Sequence, residues 1–175
     1  MLKFGDQAPE FNLKGVDGNS YKLSAIKGQK GIAVIFSCNH CPYVKAYEDR
    51  MIALSKEYQP KGVQFVLINA NDPAKYPDDS FENMIKRAKE KNYPFPYLFD
   101  ETQQIAKVYG AQRTPEIFLF DAGLKLRYHG AIDDNWEFPD KVTKRYFKEA
   151  LDALLAGKEP AVKDTAPVGC TIKWK

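Results

Sequence analysis

Residues 31–42 of the chain read GIAVIFSCNHCP. The first six form a continuous apolar run, which is typical of a strand buried on both faces. Cys38 and Cys41 follow directly, and Pro42 suits the first turn of a helix, because the amide at that position has no helical partner to lose. The stretch therefore predicts a pair of thiols at the junction between a buried strand and a helix.

The residues after this stretch predict further helices and strands. Apolar side chains at steps of three and four predict an amphipathic helix over residues 42–58. The other predicted elements are a strand at 63–70, a helix opened by Asp79 and Glu82, a strand at 94–99, a short helix between Asp100 and Gly110, hairpin strands at 116–120 and 124–128, and a helix at 139–156. Early crossover connections favour a parallel core with antiparallel hairpin strands beside it, so the sequence predicts an α/β fold.

The predicted position of the two cysteines favours thiolate chemistry. A helix N-terminus stabilises a thiolate through its unpaired amides and partial positive charge, and lowers the cysteine pKa from ~8.5 to between ~3.5 and ~7.5. We predict that Cys38 is the more exposed and more acidic thiol, and that Cys41 lies less accessible in the first helical turn. Cys38 would attack a substrate disulfide, and Cys41 would resolve the mixed disulfide. His40 is either a polar group that favours the thiolate or a solvent-facing loop residue.

Three motifs together resemble the redoxin branch of the thioredoxin superfamily, the alkyl hydroperoxide reductase and thiol-specific antioxidant type. They are GDQAPEFNL at residues 5–13, the dithiol with a His40 similar to that of protein disulfide isomerases, and Arg113-Thr114-Pro115 before an apolar strand. The resemblance covers roughly residues 4–157, with the closest likeness to peroxiredoxin-like proteins that carry a thioredoxin dithiol. It implies a thioredoxin-like fold, in which helices flank a central mixed sheet preceded by an N-terminal redoxin extension.

The same resemblance implies roles for the residues around Pro115. The Thr114–Pro115 bond is expected to be cis, with the Thr114 backbone facing the dithiol and pairing with substrate. Arg113 lies where the catalytic arginine of that family could fall. The predicted catalytic residues are Cys38, Cys41 and Pro115, and the predicted supporting residues are His40, Thr114 and Arg113.

The sequence departs from the family pattern in two ways. Ser37 stands where thioredoxins carry a tryptophan, and residues 31–36 lack the buried acid of the thioredoxin strand, so Cys41 has no obvious base. Peroxiredoxins carry a proline and a threonine seven and three positions before the reactive cysteine. Neither Cys41 nor Cys38 has them, which argues against a peroxidase of the usual kind.

Other classes of function stay open beside the thiol-disulfide oxidoreductase. A CxxC pair is also half of a zinc site, so Cys38 and Cys41 with His40 or His129 could bind a soft ion such as copper or zinc. A thiol peroxidase is a further alternative, as is a non-enzymatic module that binds a partner in the groove near Pro115. No resident metal or cofactor is predicted.

Cys170 lies in the segment after the predicted domain. We divide the chain into a redoxin domain at 1–157 and a C-terminal tail at 158–175, which is expected to pack loosely. Cys170 is either an incidental thiol or a resolving cysteine, which requires the tail to fold back onto the dithiol.

Composition limits the partners and the compartment. The net charge of +3 comes from 26 basic and 23 acidic residues without a basic patch, which argues against nucleic acid and membrane surfaces. The three cysteines are too few for a disulfide-stapled scaffold, and the first residues do not resemble a signal peptide, so we expect a cytoplasmic protein. The expected partners are a protein or small-molecule disulfide or dithiol and an unidentified reductant.

Overall fold

The computed structural model describes residues 1–175. Its nine strands are β1 (Asn12–Gly15), β2 (Ser20–Lys22), β3 (Gly31–Phe36), β4 (Val63–Asn69), β5 (Tyr97–Phe99), β6 (Arg113–Thr114), β7 (Glu116–Asp121), β8 (Leu126–Gly130) and β9 (Cys170–Thr171). Its five α-helices are α1 (Leu23–Ile26), α2 (Pro42–Tyr58), α3 (Phe81–Glu90), α4 (Gln104–Tyr109) and α5 (Tyr146–Leu155). None of these helices combines the length and the apolar composition that crossing a membrane requires.

Seven strands form one mixed sheet in the order β2-β1-β5-β4-β3-β7-β8. β3 is parallel to β4 and antiparallel to β7, and β7 and β8 form the antiparallel hairpin. The predicted parallel core with antiparallel hairpin strands is therefore confirmed. Because β3 and β4 are parallel, their carboxyl ends lie at the same edge of the sheet, where Cys38 follows β3.

The interior strand β3 separates two hydrophobic clusters. Ala33 and Ile35 pack into the cluster that includes Tyr47 of α2. Ile32 and Val34 point to the opposite face, as successive side chains of a strand do, and join the second cluster. Burial on both faces explains why the run contains no polar residue. Helix α2 begins and ends at the predicted residues.

Two helix starts differ from the prediction. Ser80, not Asp79, caps α3, because its hydroxyl accepts the amide of Asn83 at 3.1 Å while Asp79 is turned into the interior. Helix α5 begins at Tyr146 instead of residue 139. The predicted first turn is a separate 3-10 turn at Pro139–Lys141, and the carboxylate of Asp134 accepts the amide of Thr143 at 3.0 Å between that turn and α5.

The expectation of a loosely packed tail is wrong. The backbone of His129 in β8 exchanges hydrogen bonds with the tail, since its amide donates to Lys163 and its carbonyl accepts from Thr165. Gly130 permits this approach, because an added Cβ would lie 2.0 Å from the Thr165 hydroxyl. Further on, β9 pairs with β6, and Ile172 is only 3% exposed. The tail is thus docked across the carboxyl edge of the sheet.

Candidate active site

The two predicted redox cysteines lie together at the end of β3. Cys38 follows the strand, and Cys41 occupies the position directly before the first residue of α2. The Sγ atom of Cys38 lies 3.5 Å from Oγ1 of Thr114, and the thiol of Cys41 is 3.6 Å from the Thr114 carbonyl oxygen. The structure therefore brings the dithiol against Thr114, as the family resemblance implies.

The Thr114–Pro115 peptide bond is cis, as predicted. Glu116 holds the loop before it, because one carboxylate oxygen accepts the amides of Gln112 and Arg113 at 2.9 Å each. Arg113 does not point its guanidinium at the dithiol: that group donates to the carbonyl of Gly169 in the tail at 3.1 Å. The observed contact of Arg113 therefore anchors the tail, and its supporting role in the reaction stays a prediction.

The third cysteine of the chain belongs to the same cluster. The Sγ atoms of Cys41 and Cys170 are 2.6 Å apart, and all three cysteines are free thiols. Thr114 and Cys170 are paired residues of β6 and β9. The hypothesis that the tail folds back onto the dithiol agrees with this arrangement.

The dithiol is less accessible than the sequence predicts. Cys38 is 1% exposed and Cys41 is fully buried, so neither thiol is the exposed one. The interaction with the Cys38 thiol, helped by Cys170 and by the Val44 amide in the first turn of α2, lowers the pKa of Cys41 to about 4. The interaction with Cys41, burial and the charge of Asp79 raise the pKa of Cys38. The helix N-terminus beside Cys41 therefore stabilises negative charge in the reduced site.

Asp79 is a fully buried acid beside the loop that carries the dithiol. One carboxylate oxygen accepts the amide of Asn39, between the two cysteines, at 2.7 Å. The other accepts the side-chain amide of Asn71 at 2.9 Å and lies 2.6 Å from Nδ1 of His40. A buried carboxylate with several donors is a satisfied group, and here it fixes the loop that carries the dithiol.

His40 is both partly exposed to solvent and in contact with a buried group of the site, so it combines features of the two roles that the sequence left open. Its side chain is 29% exposed and lies parallel to the ring of Tyr76, with the ring centroids 6.2 Å apart. Ligating atoms of Cys38, His40 and Asp79 all lie within 4.8 Å of one another. His40 is therefore a polar neighbour of the thiol cluster, held in place by the buried carboxylate.

The sequence interpretation missed the contribution of the segment after β4. Asn71 and Asp79 follow β4, which is parallel to β3, and so they meet the dithiol at the shared carboxyl edge. The sequence did contain a signal for this contribution: β4 neighbours β3, the strand before the CxxC pair, and polar residues follow β4. The capping-box spacing of Asp79 and Glu82 instead suggested a helix start.

His129 connects the tail to the cis-proline loop. Its Nδ1 atom lies 2.5 Å from a carboxylate oxygen of Asp164 in the tail, and its Nε2 atom lies 2.7 Å from Glu116. Burial by itself lowers the pKa of His129, but the hydrogen bonds to Glu116 and Asp164 outweigh it, and the pKa is raised. The protonated ring therefore donates to both carboxylates. His129 is committed to this bridge and does not join the cysteine cluster.

We expect this bridge to make stability depend on pH. Because the pKa of His129 is higher in the folded state, protonation of His129 stabilises the fold. This stabilisation is complete below about pH 6.5, the ordinary histidine pKa, and is lost as the pH rises through the raised pKa. Denaturant titrations of the wild type and of His129→Gln should therefore give free energies of unfolding that differ most at acidic pH. Asp164→Asn removes only the tail carboxylate and should reproduce part of this pH dependence. Parallel pH curves for the wild type and His129→Gln would contradict the bridge.

The fold and the site define a thioredoxin-fold dithiol protein with its CxxC pair at a helix N-terminus and beside a cis-proline. The chain belongs to the AhpC/TSA family, whose model matches residues 4–129. The predicted membership of the redoxin superfamily is thereby confirmed.

Relatives and solved structures agree with this assignment. The thiol-disulfide oxidoreductase ResA of Halalkalibacterium halodurans is 27% identical over 133 residues, which are 75% of this chain and 67% of the relative. The crystal structure of an uncharacterized conserved protein from Geobacillus kaustophilus is 47% identical, with a TM-score of 0.95 over 100% of this chain and 94% of that one. A thiol:disulfide interchange protein from Chlorobium tepidum TLS shares the fold at 18% identity, with a TM-score of 0.67 over 89% of this chain and 99% of that one.

The solved structures confirm the predicted thioredoxin-like fold. The ResA relatives and the family match confirm the predicted class, thiol-disulfide oxidoreductase. The chain spans about two thirds of the length of the ResA relatives that it matches.

Proposed function

We propose that the chain exchanges disulfides with its substrates through the Cys38–Cys41 pair. The observation that carries the proposal is the contact of both sulfurs with Thr114, the residue directly before the cis-proline. A thiolate stabilised at the start of a helix supplies the nucleophile. The extended backbone beside a cis-proline supplies a place for a substrate strand to pair.

In the reductive direction, a thiolate of the pair attacks one sulfur of a substrate disulfide. A mixed disulfide forms, and the other substrate sulfur leaves as a thiolate, which takes up a proton. The second sulfur of the pair then loses its proton and attacks the enzyme sulfur of the mixed disulfide. The Cys38–Cys41 bond forms, the remaining substrate thiolate leaves, and two electrons have moved to the substrate. The order predicted from the sequence, with Cys38 attacking first, stays a prediction.

The docked tail restricts how a substrate enters. Both sulfurs are buried while β9 is paired with β6, so β9 must move away before a disulfide can reach them. An extended protein segment offers the same backbone donors and acceptors as β9 and can replace it on Thr114. We therefore propose protein disulfides or dithiols as the main substrates, with small disulfides as weaker ones.

A turnover assay tests this function. Purified protein should accelerate the reduction of insulin disulfides by dithiothreitol, and the acceleration should disappear in Cys38→Ser and in Cys41→Ser. Asp78→Asn changes an exposed carboxylate beside the site and serves as the matched surface control. Equal rates with and without the wild-type protein would contradict the proposal.

A second candidate function rests on the group of Cys38, His40 and Asp79, whose ligating atoms lie within 4.8 Å of one another. Thiolate, imidazole and carboxylate are ligands that zinc accepts. The group differs from the set predicted from the sequence, since Asp79 takes the place of Cys41. Stoichiometric zinc retention by the reduced wild type, lost in His40→Ala and accompanied by protection of Cys38 from alkylation, would favour this function over the redox one.

The compartment and the recycling partner complete the proposal. We propose a cytoplasmic location, supported by the presence of only three cysteines, which are too few for the disulfide-stapled scaffold of a secreted protein. A cellular dithiol of lower reduction potential would return the Cys38–Cys41 disulfide to the dithiol state.

A further inference from the structure

The tail occupies the place where the proposed function puts a substrate. β9 is antiparallel to β6, with Cys170 directly opposite Thr114. On its far side, the amide of Ile172 donates to the Gln112 carbonyl at 2.8 Å, and the Lys173 carbonyl accepts the Asp72 amide at 2.8 Å. A short extended segment with a cysteine, paired beside a cis-proline, has the arrangement expected of a bound substrate strand.

Gly169 makes this close approach possible. A Cβ at this position would lie 2.0 Å from the carbonyl oxygen of Thr114 and 2.6 Å from its carbonyl carbon. Both are backbone atoms of the cis-proline loop, which cannot shift as a flexible side chain can. The position before Cys170 therefore accepts only glycine while β9 is seated, and Arg113 binds the Gly169 carbonyl.

The sulfur of Cys170 is directed at one member of the dithiol. It lies 2.6 Å from Sγ of Cys41, which itself pairs with Cys38 in the proposed reaction. Burial and the neighbouring Cys41 raise the pKa of Cys170 to about 11, so Cys170 remains a protonated thiol in the reduced protein. Cys41 can therefore form a disulfide with either Cys38 or Cys170.

We propose that Cys170 is a third catalytic cysteine, which exchanges with the Cys38–Cys41 disulfide to form Cys41–Cys170. The inference rests on the proposed function, because that function supplies the oxidised dithiol. The Cys170 thiolate attacks Sγ of Cys41, the Cys41–Cys170 bond forms, and the Cys38–Cys41 bond breaks. Cys38 leaves as a thiolate and takes up the proton that Cys170 has lost. No electrons enter or leave the chain, and the reverse attack by Cys38 restores the first disulfide.

The exchange regulates access to the site. In the Cys41–Cys170 form, β9 is tied covalently over Thr114, so a substrate strand cannot replace it. The same form leaves Cys38 as a free thiol beside His40 and Asp79. The oxidised protein therefore alternates between two forms. In the Cys38–Cys41 form β9 can leave Thr114, and in the Cys41–Cys170 form it cannot.

Oxidation of the Cys38→Ser variant tests the new disulfide. Trypsin leaves Cys41 in residues 31–45 and Cys170 in residues 164–173, so a disulfide between them links two peptides. With excess glutathione disulfide, two thiols are oxidised and two glutathione molecules are released, and we expect the linked pair in nearly every chain. Glutathione adducts on Cys41 with Cys170 left free would overturn the inference. The wild type would still form Cys38–Cys41 in that case, so the proposed function would stand.

A wild-type measurement guards against a variant that misfolds. After oxidation to one disulfide per chain and rapid alkylation, we expect the label on both Cys38 and Cys170, because the two disulfides exchange. A label confined to Cys170 would contradict the exchange. If no disulfide formed under oxidising conditions, all three cysteines would be labelled, and that result would count against the proposed function itself.

Gly169→Ala, combined with Cys38→Ser, tests whether the Cys41–Cys170 disulfide requires β9 to be paired with β6. The effective concentration of Cys170 at Cys41, measured against glutathione, should fall at least about tenfold because the Cβ has no space beside Thr114. Gly123→Ala in the same background is the matched control, since a Cβ there meets only the Asp121 carboxylate at 3.4 Å. Equal values for the two alanine variants would contradict the docked geometry.

Discussion

Cys41→Ser is expected to form no intramolecular disulfide at all and to lose disulfide-exchange turnover by on the order of 10³-fold or more, the scale of losing a nucleophile. The reason is that Cys41 takes part in both of the disulfides that we propose. Cys41 contacts the Thr114 carbonyl at 3.6 Å and the sulfur of Cys170 at 2.6 Å, and it is the partner of Cys38 in the redox pair. Quantitative thiol counting after oxidation and the insulin assay measure the two effects.

Cys38→Ser is the matched comparison for this variant. It is expected to lose turnover as well, yet it retains one pair of cysteines that can form a disulfide, Cys41 and Cys170. The two serine variants should therefore differ by one disulfide per chain while sharing the loss of activity. Denaturant unfolding of both variants checks that a buried hydroxyl has not unfolded the site. A disulfide between Cys38 and Cys170 in Cys41→Ser, or retained turnover, would contradict the central role of Cys41.

The second large effect is expected at Asp79. Asp79→Ala should lower the free energy of unfolding by roughly 3 kcal/mol, because the Asn39 amide and the Asn71 side chain lose their buried acceptor. Asp79→Asn keeps the size of the side chain and removes its charge, so its stability loss should be smaller. Chemical denaturation of the two variants gives both values, with Asp78→Asn as the exposed neighbouring control.

Asp79→Asn should also change the chemistry of Cys38. The charge of Asp79 contributes to raising the pKa of Cys38, after the interaction with Cys41 and burial, so removing that charge lowers the pKa. In a Cys41→Ser, Cys170→Ser background, only Cys38 can be alkylated, and the pH profile of alkylation reports its pKa directly. The profile should shift to lower pH in Asp79→Asn and stay in place in Asp78→Asn. An unchanged profile would remove Asp79 from the electrostatics of the thiol.

Local patterns in the sequence predicted the framework of the site. The apolar run of β3 and the periodicity of α2 have direct physical causes, namely burial on both faces and packing on one face. Pro42 fixed the start of α2, so the bounds of the helix agree with the prediction. The cis bond before Pro115 came from the family resemblance, because no local pattern in this chain distinguishes a cis from a trans proline.

The remaining features of the site depend on contacts between distant residues. The helix N-terminus predicted an acidic thiol, but the pKa values of the two thiols depend first on the contact between them and then on burial, Asp79 and Cys170, which reach the dithiol from other elements. The docking of the tail depends on close backbone approaches at Gly130 and Gly169, and a glycine in a sequence does not reveal what approaches it. The bridge at His129 likewise joins residues from two strands and the tail, so no spacing could show it.

The most direct test of the central claim is a redox titration of the wild-type protein against glutathione, with thiol counting and peptide mapping at each potential. We predict one reversible two-electron transition in which the thiol count falls from three to one, and in which the remaining thiol is shared between Cys38 and Cys170. Three thiols that persist across the titration, or a disulfide that excludes Cys41, would contradict the account.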